Sequence, residues 1–329
     1  MLSIPILLIT FNRPDHTRRV QEAILAARPK TLYVFQDGPR EGNEVDLERC
    51  AEVRQVVEEL SKDANVVLHS KYSNENLGCG SGPVEAISWF YDQVEMGIVM
   101  EDDCLPHPDF FCYCEELLLR YKDDEKIRFI NATLYNGRWK CEASYDFSHY
   151  MVTGAWAGWR RTWQGFDFDL HSLDAKKFRK QVLHLTGNRG EANWWYSIAK
   201  EIQQDKNKKS YWDYQMQIHL FDNGALTIHP RQNLVSNIGF DGNGTHTLNN
   251  YDHRGDKEVF PILPLTHPKE QIVDIKRDAY CWAMAQSKGW MKDLIDFWYE
   301  SLLWSNGLGN RLLMAYKKMR GKDINSRKI

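Results

Sequence analysis

Three carboxylates in succession, Glu101-Asp102-Asp103, directly follow the apolar run 97–100. Adjacent like charges repel, so such a triplet either stays in water as an acidic turn or gathers a cation. At the carboxyl end of a parallel strand it would face the crevice in which α/β sheets bind ligands. Hard cations such as Mg2+ or Mn2+ suit all-oxygen donors and keep coordination positions open for phosphate oxygens. Another carboxylate, Asp213, stands in Tyr211-Trp-Asp-Tyr-Gln. A carboxylate within hydrogen-bond reach of an attacking hydroxyl can take its proton, and partial desolvation by Trp212 would raise its proton affinity toward a useful value. The same aspartate would serve equally well as a helix N-cap. The stretch 73–83 is rich in glycine, which lets backbone approach a ligand and frees N–H groups at a helix start; otherwise it is a plain connector. It is not a Walker A loop, which would continue Gly-Lys-Ser/Thr, and it does not follow the first strand as a dinucleotide fingerprint must.

These groups need a frame, and the first third supplies one. The apolar run at 4–10 reads as a strand buried on both faces, and 31–36, 64–69 and 97–100 read as further strands. Between them, 15–27, 46–61 and 84–93 carry helical spacing, with Val53, Val56, Val57 and Leu60 on one stripe. Strand alternating with helix predicts a parallel, doubly wound sheet. Beyond 104 the pattern predicts a helix over 109–121 and a strand over 128–133. The segment 139–250 then reads as short aromatic strands and loops with two helices, near 172–185 and 211–222. Pro261, Pro264 and Pro268 suggest a boundary, with 269–320 mainly helical.

Composition bounds the rest. The chain has 329 residues, 43% hydrophobic and 26% charged, which is ordinary for a soluble globular protein. Of its 12 Trp only Trp89 precedes residue 139. The net charge of −3 disfavours a nucleic-acid binder, although residues 311–329 hold seven basic groups against Asp323 alone. That basic end, after an amphipathic stretch through Trp290, Leu294 and Trp298, is either a frayed helix end or a peripheral contact with an acidic bilayer. Seven irregularly spaced cysteines without a CxxC pair predict reduced thiols and a cytoplasmic location rather than zinc or disulfides. The apolar start is too short for a signal core, and no run approaches ~18 apolar residues, so no spanning helix is expected.

Four segments carry a resemblance. Ile98-Val-Met-Glu-Asp-Asp-Cys-Leu-Pro-His-Pro-Asp-Phe-Phe resembles the acidic metal motif of the N-acetylglucosaminyltransferase I family and its bacterial sugar-transferase relatives. Pro5-Ile-Leu-Leu-Ile-Thr-Phe-Asn-Arg-Pro is similar to the opening strand and Arg-bearing loop of these GT-A glycosyltransferases. Val34-Phe-Gln-Asp-Gly resembles their second strand, and Tyr211-Trp-Asp-Tyr-Gln the segment that supplies the catalytic base. The resemblance covers residues 4–250 and implies roles. Asp103 would bind Mn2+ or Mg2+, with Asp102 near the ribose and Glu101 near the donor sugar. Asp37 would accept from the uracil N3–H, the alternative being an Asx turn. Thr10, Asn12 and Arg13 would meet the nucleotide or its phosphate, Arg13 being otherwise a helix-entry ion pair. Asn76 and Gly78 would line the donor pocket. Asp213 would be the base of an inverting transfer, and His246 a metal or diphosphate contact or a plain loop histidine. Indole packs well on the C–H faces of sugars, so Trp156 and Trp212 are expected on the acceptor side, while most Trp should be core.

The fold expected is therefore α/β of GT-A type, a Rossmann-like, mixed, mostly parallel sheet flanked by helices. A catalytic domain would span 1–265, with a nucleotide half at 1–104 and an acceptor half at 105–265; a helical extension with a basic tail would follow over 266–329. The activity expected is metal-dependent, inverting transfer of a sugar from a nucleotide-sugar donor, UDP-linked, to a hydroxyl of a glycan or lipid-linked glycan. The competing readings are a sugar-phosphate nucleotidyltransferase and a non-catalytic carbohydrate-binding protein. Against the former, no Gly-rich loop follows the first strand.

Overall fold

The computed structural model describes residues 2–134, 139–205, 211–240 and 257–286, together with 255, 291 and 295. His246 and the tail 311–329 lie outside the described residues. In chain order the first elements are β1 (Ile6–Thr10), α1 (Pro14–Ala26), β2 (Thr31–Gln36), α2 (Glu44–Asp63), β3 (Val67–Tyr72), α3 (Gly78–Gln93) and β4 (Met96–Glu101). Then come β5 (Cys104–Pro106), α4 (Asp109–Arg120), β6 (Ile127–Asn131), β7 (Tyr145–Ser148), β8 (Ala155–Trp159) and the single turn α5 (Arg160–Trp163). The remainder is α6 (Ala175–Thr186), α7 (Arg189–Gln204), α8 (Asp213–Asp222), β9 (Leu226–Pro230), β10 (Val235–Asn237) and α9 (Ile275–Gln286).

Eight strands form one sheet in the order β3-β2-β1-β4-β8-β6-β9-β7. The first four run parallel; β8 is antiparallel to both β4 and β6, β9 is parallel to β6, and β7 closes the edge antiparallel to β9. Period-two alternation in β1 shows why its apolar run is continuous. Ile6 and Leu8 join Val20 and Ile24 of α1 and Val53 and Val57 of α2, while Leu7 and Ile9 join Ile87 and Phe90 of α3 and Met216 and Leu220 of α8. Each such fully buried aliphatic or phenyl side chain contributes roughly 1.5–3 kcal/mol. The sheet is mixed, mostly parallel and helix-flanked, as the strand–helix alternation predicts. A separate ribbon pairs β10 with β5 and brings residues 235–237 against the segment that follows the acidic triplet.

The structure departs from the predicted elements where backbone signals outweigh periodicity. β3 starts at Val67 rather than 64, because α2 continues to Asp63 and Asn65 then turns the chain at a φ of 53°. Helix α7 was not predicted, since Trp194-Trp195 reads as an aromatic strand. Its stripe Ala192, Trp195, Ala199 and Ile202 is buried, and Asn188 caps it by accepting from Gly190 and Glu191. α3 begins at Gly78, six residues early, for a reason that belongs to the site.

The boundary at 265 is also corrected over the described residues. Trp282 of α9 is fully buried with Tyr150, Phe178 and Val182. Arg277, 1% exposed, makes a fork to Asp146 of β7 through Nε (2.6 Å) and Nη2 (2.8 Å) and lies over the Trp139 ring. The start of the expected extension is thus part of the body. Removing one partner of a buried fork leaves an uncompensated charge, at a cost of about 3–5 kcal/mol. Arg277→Met should lower the stability measured by urea unfolding by that amount, and adding Asp146→Leu should recover most of it. An unchanged midpoint for Arg277→Met would show that 266–286 does not support the body.

Candidate functional site

Because β2, β1 and β4 are adjacent and parallel, their carboxyl ends share one edge, and a cavity of about 450 Å³ opens across it. At the β2 end its wall includes Phe11, Asn12, Asp37, Arg40, Asn76 and Gly78. At the β4 end it includes Glu101, Asp102 and Asp103, then Thr133, Thr153 and Gly154 from the edges of β6 and β8. Thr10 and Arg13 line it between the two ends. Nine of the residues expected from sequence thus meet in this wall, and the strand order explains why.

At the acidic end, backbone bonds fix the triplet before side chains act: Asp102 N donates to Ile9 O (3.0 Å), Glu101 N to Gly154 O (2.8 Å), and Ile238 N to Asp103 O (2.8 Å). Arg13, from the loop between β1 and α1, donates through Nη2 to Asp102 Oδ1 and through Nη1 to Asp103 Oδ2 (3.2 Å). The expected phosphate contact of Arg13 is corrected to this extent, since its guanidinium is committed to two carboxylates. Burial, and then the charges of Asp103 and Asp102, push the Glu101 carboxyl up to about 8, with Arg13 opposing. Burial likewise raises Asp102, against the pull of Arg13. Gly239 packs directly on the pair: a Cβ there would lie 2.4 Å from Asp103 Oδ2 and 2.9 Å from Arg13 Nη1.

Three carboxylates against one guanidinium leave an excess of negative charge in a confined place, and all the donors are oxygen. That chemistry fits a hard divalent cation. Among the described residues no group of three or more His, Cys, Asp or Glu converges as a ready cage. The fit is therefore of the kind in which one or two carboxylates hold the ion and substrate phosphates and water complete it.

At the β2 end the structure corrects Asp37. Its Oδ1 accepts from Gly38 N (2.9 Å) and Leu77 N (2.8 Å), and its Oδ2 from Gly78 N (3.0 Å) and Asn76 Nδ2 (3.1 Å). A carboxylate has about four acceptor sites. All are engaged, so the expected uracil N3–H contact has no lone pair to meet. Asp37 instead clips β2 to the first turn of α3, a negative charge at a helix N-terminus, worth up to ~2 kcal/mol when partly buried. This is why a Gly-rich stretch with Pro83 forms helix at all. Gly38 permits the close approach, since a Cβ there would come within 2.6 Å of the Glu75 backbone. Asn76 and Gly78 are in the cavity wall as expected, with their N–H donors turned to Asp37 and, for Asn76, to Gly38 O (2.8 Å).

Asp213 opens α8, where its Oδ1 accepts from Tyr214 N (3.0 Å). It is not among the lining residues, yet its charge raises the proton affinity of Glu101 and of Cys79, which both are. The two expected acceptor-side indoles are corrected. Trp156 is 1% exposed and stacks on Phe129 (4.4 Å, 15°), and Trp212 is 5% exposed between Trp156 and Trp163. Their faces meet other rings, so they support the wall without presenting a surface to sugar. Sequence reading missed Phe11, Arg40, Thr133 and Thr153. The first three follow strand ends and could have been found by that rule. Thr153 precedes β8, whose reversed direction no motif signals.

No protein-family model matches the chain, and no curated protein matches it in sequence. Among solved structures it is similar to UDP-glucose pyrophosphorylase complexed with UDP-glucose, at 10% identity and a TM-score of 0.36 over 71% of this chain and 93% of that one. It is also similar to 4-diphosphocytidyl-2C-methyl-D-erythritol synthase from Anaerococcus prevotii, at 8% identity and 0.34 over 67% and 84%. HddC from Yersinia pseudotuberculosis gives 12% identity and 0.30 over 48% and 78%. Likenesses of this size assign no chemistry to the site.

Asp37→Asn keeps one acceptor oxygen but sets an N–H2 group against the N–H donors of Gly78 and Asn76. It should cost about 1–3 kcal/mol in urea unfolding and speed amide exchange at Leu77 and Gly78. Unaltered exchange at those amides would remove the clip.

Proposed function

We propose that this chain is a glycosyltransferase of GT-A type, moving a sugar from a nucleotide-sugar donor, UDP-linked, to a hydroxyl of a glycan or lipid-linked glycan. The observation that carries this reading is one cavity spanning the ends of β2, β1 and β4, with a single carboxylate occupied by backbone and Asn76 donors at one end and three carboxylates at the other. A nucleoside would lie over β2 and β1, its diphosphate toward β4, and the sugar toward Thr133, Thr153 and Gly154. Asp103, backed by Asp102, would hold Mn2+ or Mg2+ with the donor diphosphate. Such an ion supplies charge neutralisation of the leaving group. Arg13 orients Asp102 and Asp103. Asp213 takes the proton of the acceptor hydroxyl; one base on the acceptor side means one in-line displacement and inversion.

In a thermal-shift assay, UDP at about 100 times its Kd should stabilise the protein by ~2.7 kcal/mol in the presence of Mn2+. Asp103→Ala should abolish the metal-dependent part. No response to any nucleoside diphosphate would sink the donor site. Asp213→Asn should leave UDP binding intact and slow transfer about 10²- to 10⁴-fold, and undiminished transfer would remove it as base. Release of pyrophosphate from a nucleoside triphosphate and a sugar 1-phosphate, with no nucleoside diphosphate released from any nucleotide sugar, would replace this reading by a nucleotidyltransferase.

A further inference from the structure

Asp46 lies in the first turn of α2, is 1% exposed, and has no place in the reading above. Its Oδ1 accepts from Asn12 Nδ2 (2.7 Å) and Arg40 Nη2 (2.8 Å), and its Oδ2 from Arg40 Nε and Arg40 N (3.3 Å). Hydrogen bonding from Arg40, supported by that from Asn12, holds its carboxyl down to about 2, so it stays ionised at any working pH. One buried carboxylate therefore ties the loop after β1 to the loop after β2, and both loops border the cavity at its β2 end. Arg40 is otherwise exposed at that rim, with a side chain 58% accessible and its guanidinium 5.7 Å from the centre of the Phe11 ring. The fork to Asp46 uses Nε and Nη2, and among the described residues the Nη1 amino group has no hydrogen-bond partner.

Two constraints narrow what Nη1 does. Asp46 cancels the Arg40 charge, so at this end the guanidinium offers oriented N–H donors more than net positive potential. Asp37 beside it is filled by four donors and cannot read a base N–H. Resting on the donor-site reading above, we propose that Arg40, positioned by Asp46, donates through Nη1 to the base carbonyl at C4 of a pyrimidine or C6 of a purine. The cavity then selects keto bases over amino bases. Arginine is donor-only. Uracil O4 and guanine O6 accept, whereas cytosine N4 and adenine N6 present N–H2 groups that would oppose it. Uracil and cytosine have the same ring size, so the comparison isolates the hydrogen bond.

The test is titration calorimetry with UDP and CDP, each with Mn2+, on wild type, Arg40→Ala, Arg40→Lys and Asp46→Asn, with thermal midpoints confirming that each variant is folded. Wild type should bind UDP about tenfold or more tightly than CDP. Arg40→Ala should lose about tenfold for UDP and little for CDP, bringing the ratio near one. Arg40→Lys should also lose the preference, because one ammonium cannot both hold Asp46 and reach the base. Asp46→Asn should move the ratio the same way, and its effect should not add to that of Arg40→Ala. Equal wild-type affinity for UDP and CDP overturns the proposal, as does an Arg40→Ala variant that weakens both nucleotides alike, which would place Arg40 on ribose or diphosphate. Wild type that binds neither UDP, CDP, GDP nor ADP overturns the donor-site reading itself, and this proposal with it.

Discussion

The acidic end of β4 can exist only because Arg13 reaches it. Two like charges about 4 Å apart cost ~4 kcal/mol at an effective dielectric of 20, and here three carboxylates follow one another beside a cavity wall. Arg13 meets Asp102 and Asp103 together, while Glu101, without an ion pair to Arg13, is pushed up to about 8 by burial and then by its two acidic neighbours. This constraint fixes other features. The loop between β1 and α1 must pass over β4 rather than away from it. The segment after β10 must carry glycine at 239 to lie on the pair. The loop's own N–H, from Phe11, is turned to Asp102 Oδ2 at 3.4 Å.

The sheet half of the fold was legible because parallel strands must be apolar on both faces. β1, β2 and β4 could be read as continuous runs, and the acids after β4 located a crevice without any knowledge of the rest. What could not be read was how each carboxylate is used. Asp37 in Asp-Gly-Pro has the same local sequence whether it meets a ligand or a helix end. The choice was made by the chain some 40 residues later, where Leu77 and Gly78 present their amides. Asp46 was hidden more completely: it looked like one acid among several opening an amphipathic helix, and its partners Asn12 and Arg40 lie in two different loops. Long-range pairing of this kind leaves no periodic trace.

Aromatic crowding after residue 139 misled in a specific way. Most indoles were expected in the core, and Trp159, Trp195 and Trp282 are buried there; Trp156 and Trp212, expected at the sugar end, are buried as well. The second half of the sheet offers a reason. β8 and β7 reverse direction, and the strands there are joined through helices of very unequal length, from the single turn α5 to α7. Irregular interfaces leave gaps that aliphatic side chains fill poorly, whereas a ring of 150–250 Å² closes them with few residues. Phe129, Trp156, Trp212 and Trp163 form one such run of rings. It joins the start of α8, where Asp213 follows Trp212, to β6 and β8.

The two ends of the cavity use the same pair of residue types in opposite ways. At β4, one arginine faces more acid than it can balance, and the surplus charge is what suits a cation and a diphosphate. At β2, one arginine is held by the buried Asp46, while the neighbouring carboxylate Asp37 is taken up by the first turn of α3. The guanidinium there carries little uncompensated positive charge with which to draw an anion away from the β4 end. On the function proposed above, the uncharged part of a nucleotide would lie at the β2 end and its anionic part beside the cation at the β4 end. Lysine at position 40 would weaken this arrangement, since a point charge pairs with Asp46 but keeps no second planar edge for a ligand. The asymmetry thus depends on the guanidinium fork as much as on the carboxylate beneath it.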